Sequence, residues 1–555
     1  MYLLIDATTD LFEEDIHDGD LFLINDPYCG NTHIGDICVL CPVFHDGKIR
    51  FWTLVKSHGP DIGCHMPTSV NVAATDVFAE GLKIPPVRIF EKGKERKDIV
   101  NLYVTNLRFH DDIRGDLIAM CGSALNGKRG IHALIEKYGW ETVNFYSQES
   151  INYADRMMSE AVRAIPDGSY SAEGWIDSDG FGTKNIRVFV TVTVKDDMIY
   201  VDYDGSAPQT KGPANSTRGM LDAATIGAVA FFVDSKIPRN GGFAKHIEVK
   251  APKGTIANAV WPAATTNATA RPADAMVEVV LKALLKAMPQ NGVAGAPRWG
   301  LTPCIVGCDM RKGPGAMYQG LFFMSGGAPA LKGMDSKWPL WGSFNCAAAL
   351  KMPSTEVIEY MNPMRVDIRQ LLPDSAGAGE AIGGASIELK VTITEDSSPA
   401  MVMTFGDGVV NAPYGAMGGK SGMGGGQCKL ANDGKRTFFP NSSMFTLMPG
   451  EAYYLVTQSG GGFGSPTDRS SEKVRQSVFD EMLSIKKAAD VYGVVIDPDT
   501  LEVDEVATHL LRADMKAKEN IGLWTPTEPG TRVWVEQNKR DGDEEVVAEY
   551  EAMGM

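Results

Sequence analysis

Residues 21–63 read LFLINDPYCGNTHIGDICVLCPVFHDGKIRFWTLVKSHGPDIG, and this stretch decides the fold of the chain. It contains the short apolar runs LFLI, ICVLCPVF and IRFWTLVKSH, separated by Gly, Pro and Asp, which is the pattern of β-strands joined by turns. Because the turn HDGK joins two of these runs, the second strand returns to the end of the sheet at which the first strand begins. The sequence therefore predicts a sheet whose loops meet at one end.

The loops at that end carry residues that bind metals. His33 and Asp36 share one glycine-punctuated connection, and His58 follows the strand that returns. Two imidazoles and one carboxylate commonly hold a divalent ion and leave positions open for water or a substrate oxygen. We therefore predict a metal site at His33, Asp36 and His58, although an H-x-x-D spacing alone also occurs without a metal. Asp61 and His65, which follow closely, are candidates for orienting a ligand or moving a proton.

The rest of the chain mixes helical and strand patterns. Apolar residues at helical spacing predict helices over residues 112–139 and 151–165, and an amphipathic helix over 276–289 that ends at Pro289. Alternating apolar residues predict a β-hairpin over 185–205. These patterns predict an α+β, multidomain fold that is β-rich with interspersed helices.

We divide this fold into four parts. The predicted parts are a β-rich domain with the metal-binding loops over residues 1–165, an α+β domain with the hairpin and the amphipathic helix over 166–370, a glycine-rich β domain over 371–500, and a C-terminal extension over 501–555.

Composition excludes several classes of function. The 555 residues include 53 Lys and Arg against 70 Asp and Glu, a net charge of -17, which repels nucleic-acid phosphates and anionic membrane surfaces. No run approaches the ~20 apolar residues of a membrane span, and no basic segment precedes the short apolar patch at the N-terminus. The nine cysteines are scattered and odd in number, which favours reduced thiols. We expect a cytoplasmic protein with no nucleic-acid or membrane partner.

Two other kinds of site have weaker support. The spacings CVLC at Cys38 and Cys41 and CIVGC at Cys304 and Cys308 occur in zinc sites, but residues i and i+3 of a strand point to opposite faces, so we expect Cys38 and Cys41 to be buried hydrophobes. The segment YGAMGGKS, residues 414–421, has Tyr414 where a phosphate-binding loop needs its first Gly, and no helical pattern follows it. The glycine tracts therefore predict tight turns and close backbone contacts.

Several separate motifs together resemble the hydantoinase B/oxoprolinase family, in the family's order and over most of the chain from about residue 20 to 495. They are GDLFLINDPYCGNTHIGD, SHGPDIG, FAEGLKIPPVRI, IPDGSYSAEGWIDSDG, QTKGPANS, LLPDSAGAGEAIGG and SGGGFGSP. The family includes subunits of N-methylhydantoinase, 5-oxoprolinase, caprolactamase and the acetone and acetophenone carboxylases, all of which use ATP.

The resemblance implies a division of labour between subunits. It places ATP, with Mg, on a partner of the hydantoinase A type, and the metal and part of the substrate pocket on the B-type chain. The family's H-x-x-D and following His match His33, Asp36 and His58, and Asp61 matches the Asp of the second loop. The resemblance also implies a further N-terminal segment with another acidic residue, so we expect a split gene, a truncated start or a changed site.

Three functions remain open on these grounds. The first is hydrolysis of a cyclic amide such as a hydantoin, an oxoproline or a lactam, by a complex whose metal is Zn or Mn, with Fe as a further candidate. The second is carboxylation of a ketone by a complex of the acetone or acetophenone carboxylase type. The third is a scaffold subunit whose metal residues are structural.

Overall fold

The protein is described by a computed structural model that covers residues 2–299, 302–321, 326–336, 339–340, 353–519 and 521–525. The helices are α1 (Tyr2–Phe12), α2 (Lys97–Thr105), α3 (His110–Tyr138), α4 (Trp140–Arg163), α5 (Arg218–Phe232), α6 (Gly241–Ala244), α7 (Pro272–Ala287), α8 (Thr355–Met361), α9 (Ser471–Phe479), α10 (Ile485–Tyr492) and α11 (Glu505–Ala517). With the strands below, they form several sheets with interspersed helices, so the predicted α+β, multidomain class is confirmed.

The strands follow in chain order. They are β1 (Leu21–Ile24), β2 (Asp36–His45), β3 (Lys48–His58), β4 (Val87–Glu91), β5 (Lys94–Glu95), β6 (Gly168–Ser178), β7 (Lys184–Lys195), β8 (Met198–Asp202), β9 (Ile247–Lys250), β10 (Thr302–Cys308), β11 (Met317–Leu321), β12 (Gly326–Gly327), β13 (Pro339–Leu340), β14 (Met364–Leu371), β15 (Ile387–Ile393), β16 (Ala400–Phe405), β17 (Gly415–Ala416), β18 (Gly426–Leu430), β19 (Arg436–Phe438), β20 (Ser443–Leu447), β21 (Ala452–Val456) and β22 (Trp524–Thr525).

The N-terminal sheet positions the candidate site. Its strand order is β3-β2-β1-β4-β5, with antiparallel neighbours, so the predicted out-and-back path of β2 and β3 is confirmed. Successive side chains of a strand point to opposite faces, and both faces of this sheet are buried. One face packs with α2 and α3, and the other packs with α1. Cys41 belongs to the first core and Cys38 to the second, so the prediction that these thiols are buried on opposite faces is confirmed.

Helices and a hairpin follow this sheet. The predicted helix over 112–139 is α3, whereas the second helix begins earlier than predicted, at Trp140, because only its last part shows a clear apolar period. The predicted hairpin is β7 and β8, and its turn lies at Asp196 and Asp197.

The chain divides into two compact units. Unit 1 comprises Met1–Ser171, Phe181–Thr183 and Val188–Met276, and unit 2 comprises Ala172–Gly180, Lys184–Arg187 and Val277–Met555. The four-part division made from the sequence remains a prediction. Among the described residues, no helix combines the length and the apolar character that crossing a membrane requires.

The helix predicted over 276–289 is α7, but it does not have the solvent-exposed polar face that an amphipathic helix has. Its residues from Pro272 to Leu285 are all buried, including the charged ones. The interior tolerates these charges because Lys282 lies 2.6 Å from Glu278, which also accepts hydrogen bonds from the buried Arg298. Arg298 in turn pairs with Asp407 at 2.8 Å. The spacing of apolar residues in the sequence does not distinguish charged side chains that are paired in the interior from charged side chains on a solvent-exposed face.

The glycine-rich segments of unit 2 pack backbone against backbone. Gly460 donates a hydrogen bond to the Gly384 carbonyl and accepts one from Gly377. A Cβ on Gly460 would lie 1.9 Å from the Ala328 carbonyl oxygen, so only glycine fits there. The residues after Ser421 continue into β18 rather than a helix, as expected for a segment that is not a phosphate-binding loop.

Candidate metal centre

The three predicted metal ligands meet at one end of the N-terminal sheet. Asp36 is the first residue of β2 and His58 the last of β3, and the antiparallel register places them directly opposite each other. Side chains opposite each other on antiparallel strands have Cβ atoms about 4.5–5.5 Å apart. His33 reaches the same point from the loop before β2. One ligand atom from each of the three residues lies within 4.8 Å of the other two.

Two buried asparagines hold the loop that carries His33. The Asn25 amide donates to the carbonyls of Ile34 and Leu82 at 3.0 Å. The Asn31 amide donates to the carbonyls of His33 at 3.0 Å and Asp36 at 2.6 Å. Because side chains replace the missing strand pairing, the loop backbone is fixed without regular secondary structure.

The ligand atoms converge on one oxygen. Asp36 Oδ1 lies 3.1 Å from His33 Nε2 and 3.4 Å from His58 Nδ1. The two imidazoles stack with centroids 5.1 Å apart and an angle of 20° between their planes. Exposure increases across the trio, since the side chain of His33 is 4% exposed, that of Asp36 14% and that of His58 38%. The His58 side of the site therefore faces solvent.

The protonation states suit a metal ligand set. Burial lowers the pKa of His33, and the charges of His58 and Lys56 act in the same direction, which favours the neutral imidazole. Burial by itself would raise the pKa of Asp36, but its interactions with His33, the charge of Lys56 and the hydrogen bonds from the two imidazoles outweigh it and hold that pKa well below its usual range. A neutral imidazole and an ionised carboxylate are the forms that bind metals.

The surroundings of the trio also fit a divalent ion. His33 Nδ1 is buried and has no hydrogen-bond partner among the described residues, so one nitrogen of this ring is not used by the fold. Gly35 lies between the rings, where a Cβ would be 2.7 Å from His33 Cε1 and 2.8 Å from His58 Cε1. In the described part of the chain, the trio is the one group of three such side chains close enough to share an ion. The donor set is one that zinc, manganese and iron accept.

Three residues at the site were not predicted from the sequence. Lys56 Nζ lies 2.9 Å from Asp36 Oδ2 and also contacts the Thr32 hydroxyl, which itself hydrogen-bonds to Asp36 Oδ2. Ser69 Oγ lies 2.7 Å from His58 Nε2. A signal for Lys56 exists, because it precedes His58 by two residues and so shares its face of β3. Nothing in the sequence indicates Ser69, whose position depends on the path of a long loop.

Asp61 and His65 make hydrogen-bond contacts with residues outside the trio. The buried Asp61 carboxylate accepts hydrogen bonds from the Arg108 backbone at 2.6 Å, the Arg108 guanidinium at 3.0 Å and the Gly63 backbone at 3.1 Å. His65 is exposed, with its Nδ1 3.5 Å from the Asn71 amide. Among the described contacts, neither residue hydrogen-bonds to His33, Asp36 or His58. Their roles in orienting or proton transfer remain predictions.

Comparison with known proteins identifies the family. The caprolactamase subunit beta of Pseudomonas jessenii is 34% identical over 513 residues, covering 90% of this chain and 86% of that one. The acetophenone carboxylase delta subunit of Aromatoleum aromaticum is 26% identical over 600 aligned positions, covering 99% and 84%. The crystal structure of the ATP-dependent caprolactamase from Pseudomonas jessenii is similar with a TM-score of 0.82 at 30% identity, covering 92% of this chain and 88% of that one. A family model described as hydantoinase B/oxoprolinase matches residues 1–466, and the chain belongs to that family.

Proposed function

We propose that this chain is the metal-holding subunit of a heteromeric, ATP-dependent enzyme that opens a cyclic amide by hydrolysis. The substrate class is a hydantoin, an oxoproline or a lactam. The observation that carries the proposal is the convergence of His33, Asp36 and His58 within 4.8 Å. It is supported by the 34% identity to a protein named as a caprolactamase subunit. The proposed ion is zinc or manganese, with iron as a third candidate.

ATP is proposed to act on a partner subunit of the hydantoinase A type, together with Mg. An unactivated amide resists water at neutral pH, whereas phosphorylation of the amide oxygen creates a phosphate leaving group. The similar caprolactamase from Pseudomonas jessenii is ATP-dependent, which supports this step. When bound, the divalent ion would polarise the substrate carbonyl or supply a water of lowered pKa.

The proposed role of each site residue follows from how exposed its side chain is to solvent. His33, which is buried, anchors the site, and His58 holds the side that faces solvent. Lys56 and Thr32 contact Asp36 Oδ2. The other carboxylate oxygen, Oδ1, is therefore proposed to bind the ion. Asp61 is proposed to orient the second loop through Arg108, and the exposed His65 to move a proton.

The cytoplasm is the proposed compartment. Eight cysteines lie in the described part of the chain, and all eight are free thiols. Thiols remain reduced in the cytosol.

The test uses the assembled complex and distinguishes hydrolysis from carboxylation. The complex receives ATP and hydantoin, 5-oxoproline or ε-caprolactam in carbonate-free buffer, and ADP and ring-opened product are followed together. A second series supplies acetone or acetophenone with labelled bicarbonate. We expect ring opening without a carbon source. Label in a β-keto acid with no ring opening would replace the proposal by the ketone carboxylase.

The division of labour has its own test. Calorimetry of the isolated chain with ATP should show no saturable binding, whereas the complex should bind ATP. Tight ATP binding by this chain alone would refute the assignment of ATP to the partner.

A further inference from the structure

Ser69 contacts one nitrogen of a candidate metal ligand while the other nitrogen of that ring faces the trio. The Ser69 hydroxyl oxygen lies 2.7 Å from Nε2 of His58. Nδ1 of the same ring lies 3.4 Å from Asp36 Oδ1, the oxygen that His33 approaches to 3.1 Å with its Nε2. The two imidazoles therefore face the candidate site through different nitrogens, His33 through Nε2 and His58 through Nδ1.

The surrounding fold fixes the position of Ser69. The residue is 5% exposed, and its carbonyl accepts a hydrogen bond from the Thr266 hydroxyl at 3.4 Å. Earlier in the same loop, the Met66 carbonyl accepts one from the Arg108 guanidinium at 3.2 Å. The His58 side chain, by contrast, is 38% exposed. Its contact with a fixed, buried hydroxyl therefore restricts the rotation of a ring that is only partly packed.

The protons of His58 and Ser69 suit both the metal-free and the metal-bound ring. A nitrogen that binds a metal uses its lone pair, so the proton of the neutral imidazole is then on the other nitrogen. With an ion at Nδ1, the proton of His58 is on Nε2, and Ser69 accepts it. In the metal-free ring with Nδ1–H pointing to Asp36, the Ser69 hydroxyl donates to Nε2 instead, because a hydroxyl both donates and accepts. The same hydrogen bond therefore exists in both states.

We propose that Ser69 is a positioning residue that holds His58 in the orientation and tautomer in which Nδ1 binds the ion. Hydrogen-bond partners of this kind orient metal-binding imidazoles, and their loss lowers metal affinity about 10–100-fold. His33 is 4% exposed, so packing restricts its ring without such a partner. The inference rests on the proposed function and adds to it the residue that fixes the more exposed imidazole.

The first experiment measures metal affinity in the full chain. Zn²⁺ is titrated against a chromophoric competitor into chelator-stripped parent, Ser69→Ala, Ser69→Thr and the control Thr68→Val. The Thr68 hydroxyl accepts from the Val70 backbone at 3.3 Å and makes no contact with the trio among the described residues. We expect Ser69→Ala to raise the Kd for Zn²⁺ about 10–100-fold, Ser69→Thr to recover most of the affinity, and Thr68→Val to bind as tightly as the parent.

The second experiment observes the His58 proton. In the Co²⁺-loaded chain, the ring N–H protons of metal-bound imidazoles give strongly shifted NMR signals that are seen only when they exchange slowly with water. We expect two such signals in the parent, one from each histidine. Ser69→Ala should lose the signal of His58, because its proton is then free to exchange with solvent, and keep that of the buried His33 as an internal reference.

Both signals retained in Ser69→Ala would overturn the inference whatever the Kd, because a weaker site would then reflect a disturbed loop and not a released ring. A Co²⁺-loaded parent with a single signal would overturn it as well, and that measurement needs no variant. An unchanged Kd in folded Ser69→Ala would do the same. A parent chain that binds no divalent ion would overturn the metal centre, and with it both the proposed function and this inference.

Discussion

Gly35→Ala should disable the metal centre without changing any ligand. The added Cβ would lie 2.7 Å from His33 Cε1 and 2.8 Å from His58 Cε1, whereas ordinary contact begins at 3.4 Å. Each ring must therefore retreat by about 0.6 Å or more, which exceeds the ~0.5 Å tolerance of a working site. Because displaced support around a metal costs about 10–100-fold in affinity, we expect the Kd for Zn²⁺ or Mn²⁺ to rise about 100-fold. The cost in folding free energy should be about 1–3 kcal/mol, as for other overpacked sites.

Gly59→Ala is the matched control. Gly59 lies next to His58, but the atoms nearest to its Cβ are at 3.6 Å, an ordinary contact distance. The assay strips the metal with a chelator and then titrates each variant with Zn²⁺ against a chromophoric competitor, with metal content measured by mass spectrometry. Circular dichroism reports whether the variants are folded. If folded Gly35→Ala binds metal as tightly as Gly59→Ala and the parent, the two imidazoles do not share an ion and the reasoning fails.

Asp36→Asn should lower the bound metal well below one ion per chain and abolish turnover, because the anionic ligand is lost while its shape is kept; wild-type turnover would mean a structural metal. Burial raises the pKa of Glu80 from 4.5 to about 8, so the stabilisation from its proton is complete below pH 4.5 and is lost as pH rises through 8. Glu80→Gln should therefore flatten the fall of unfolding free energy between pH 4.5 and about pH 8, whose slope is at most about 1.4 kcal/mol per pH unit; an unchanged slope in urea titrations would exclude Glu80 as its source. Arg298→Met removes the cation between Glu278 and Asp407 and should lower the unfolding free energy of unit 2 by about 3–5 kcal/mol; an unchanged urea midpoint would contradict the importance of this network.

The sequence alone determined the local structure around the candidate site. The apolar runs of β2 and β3 and the turn between them specify an antiparallel pair, and this pairing by itself brings Asp36 opposite His58. The faces occupied by Cys38 and Cys41 follow because successive side chains of a strand alternate between its two faces. Both are local properties of the chain, because they depend only on which residues alternate and where the turn lies.

Only the tertiary structure decided which distant side chains complete the site and how charges are buried. Ser69 reaches His58 through the course of a loop. Glu278 in α7 looks solvated in the sequence but is paired in the interior by Arg298, twenty residues further along the chain. Such contacts depend on packing between segments that no local pattern encodes, because hydrogen bonding and desolvation act through space and not along the chain.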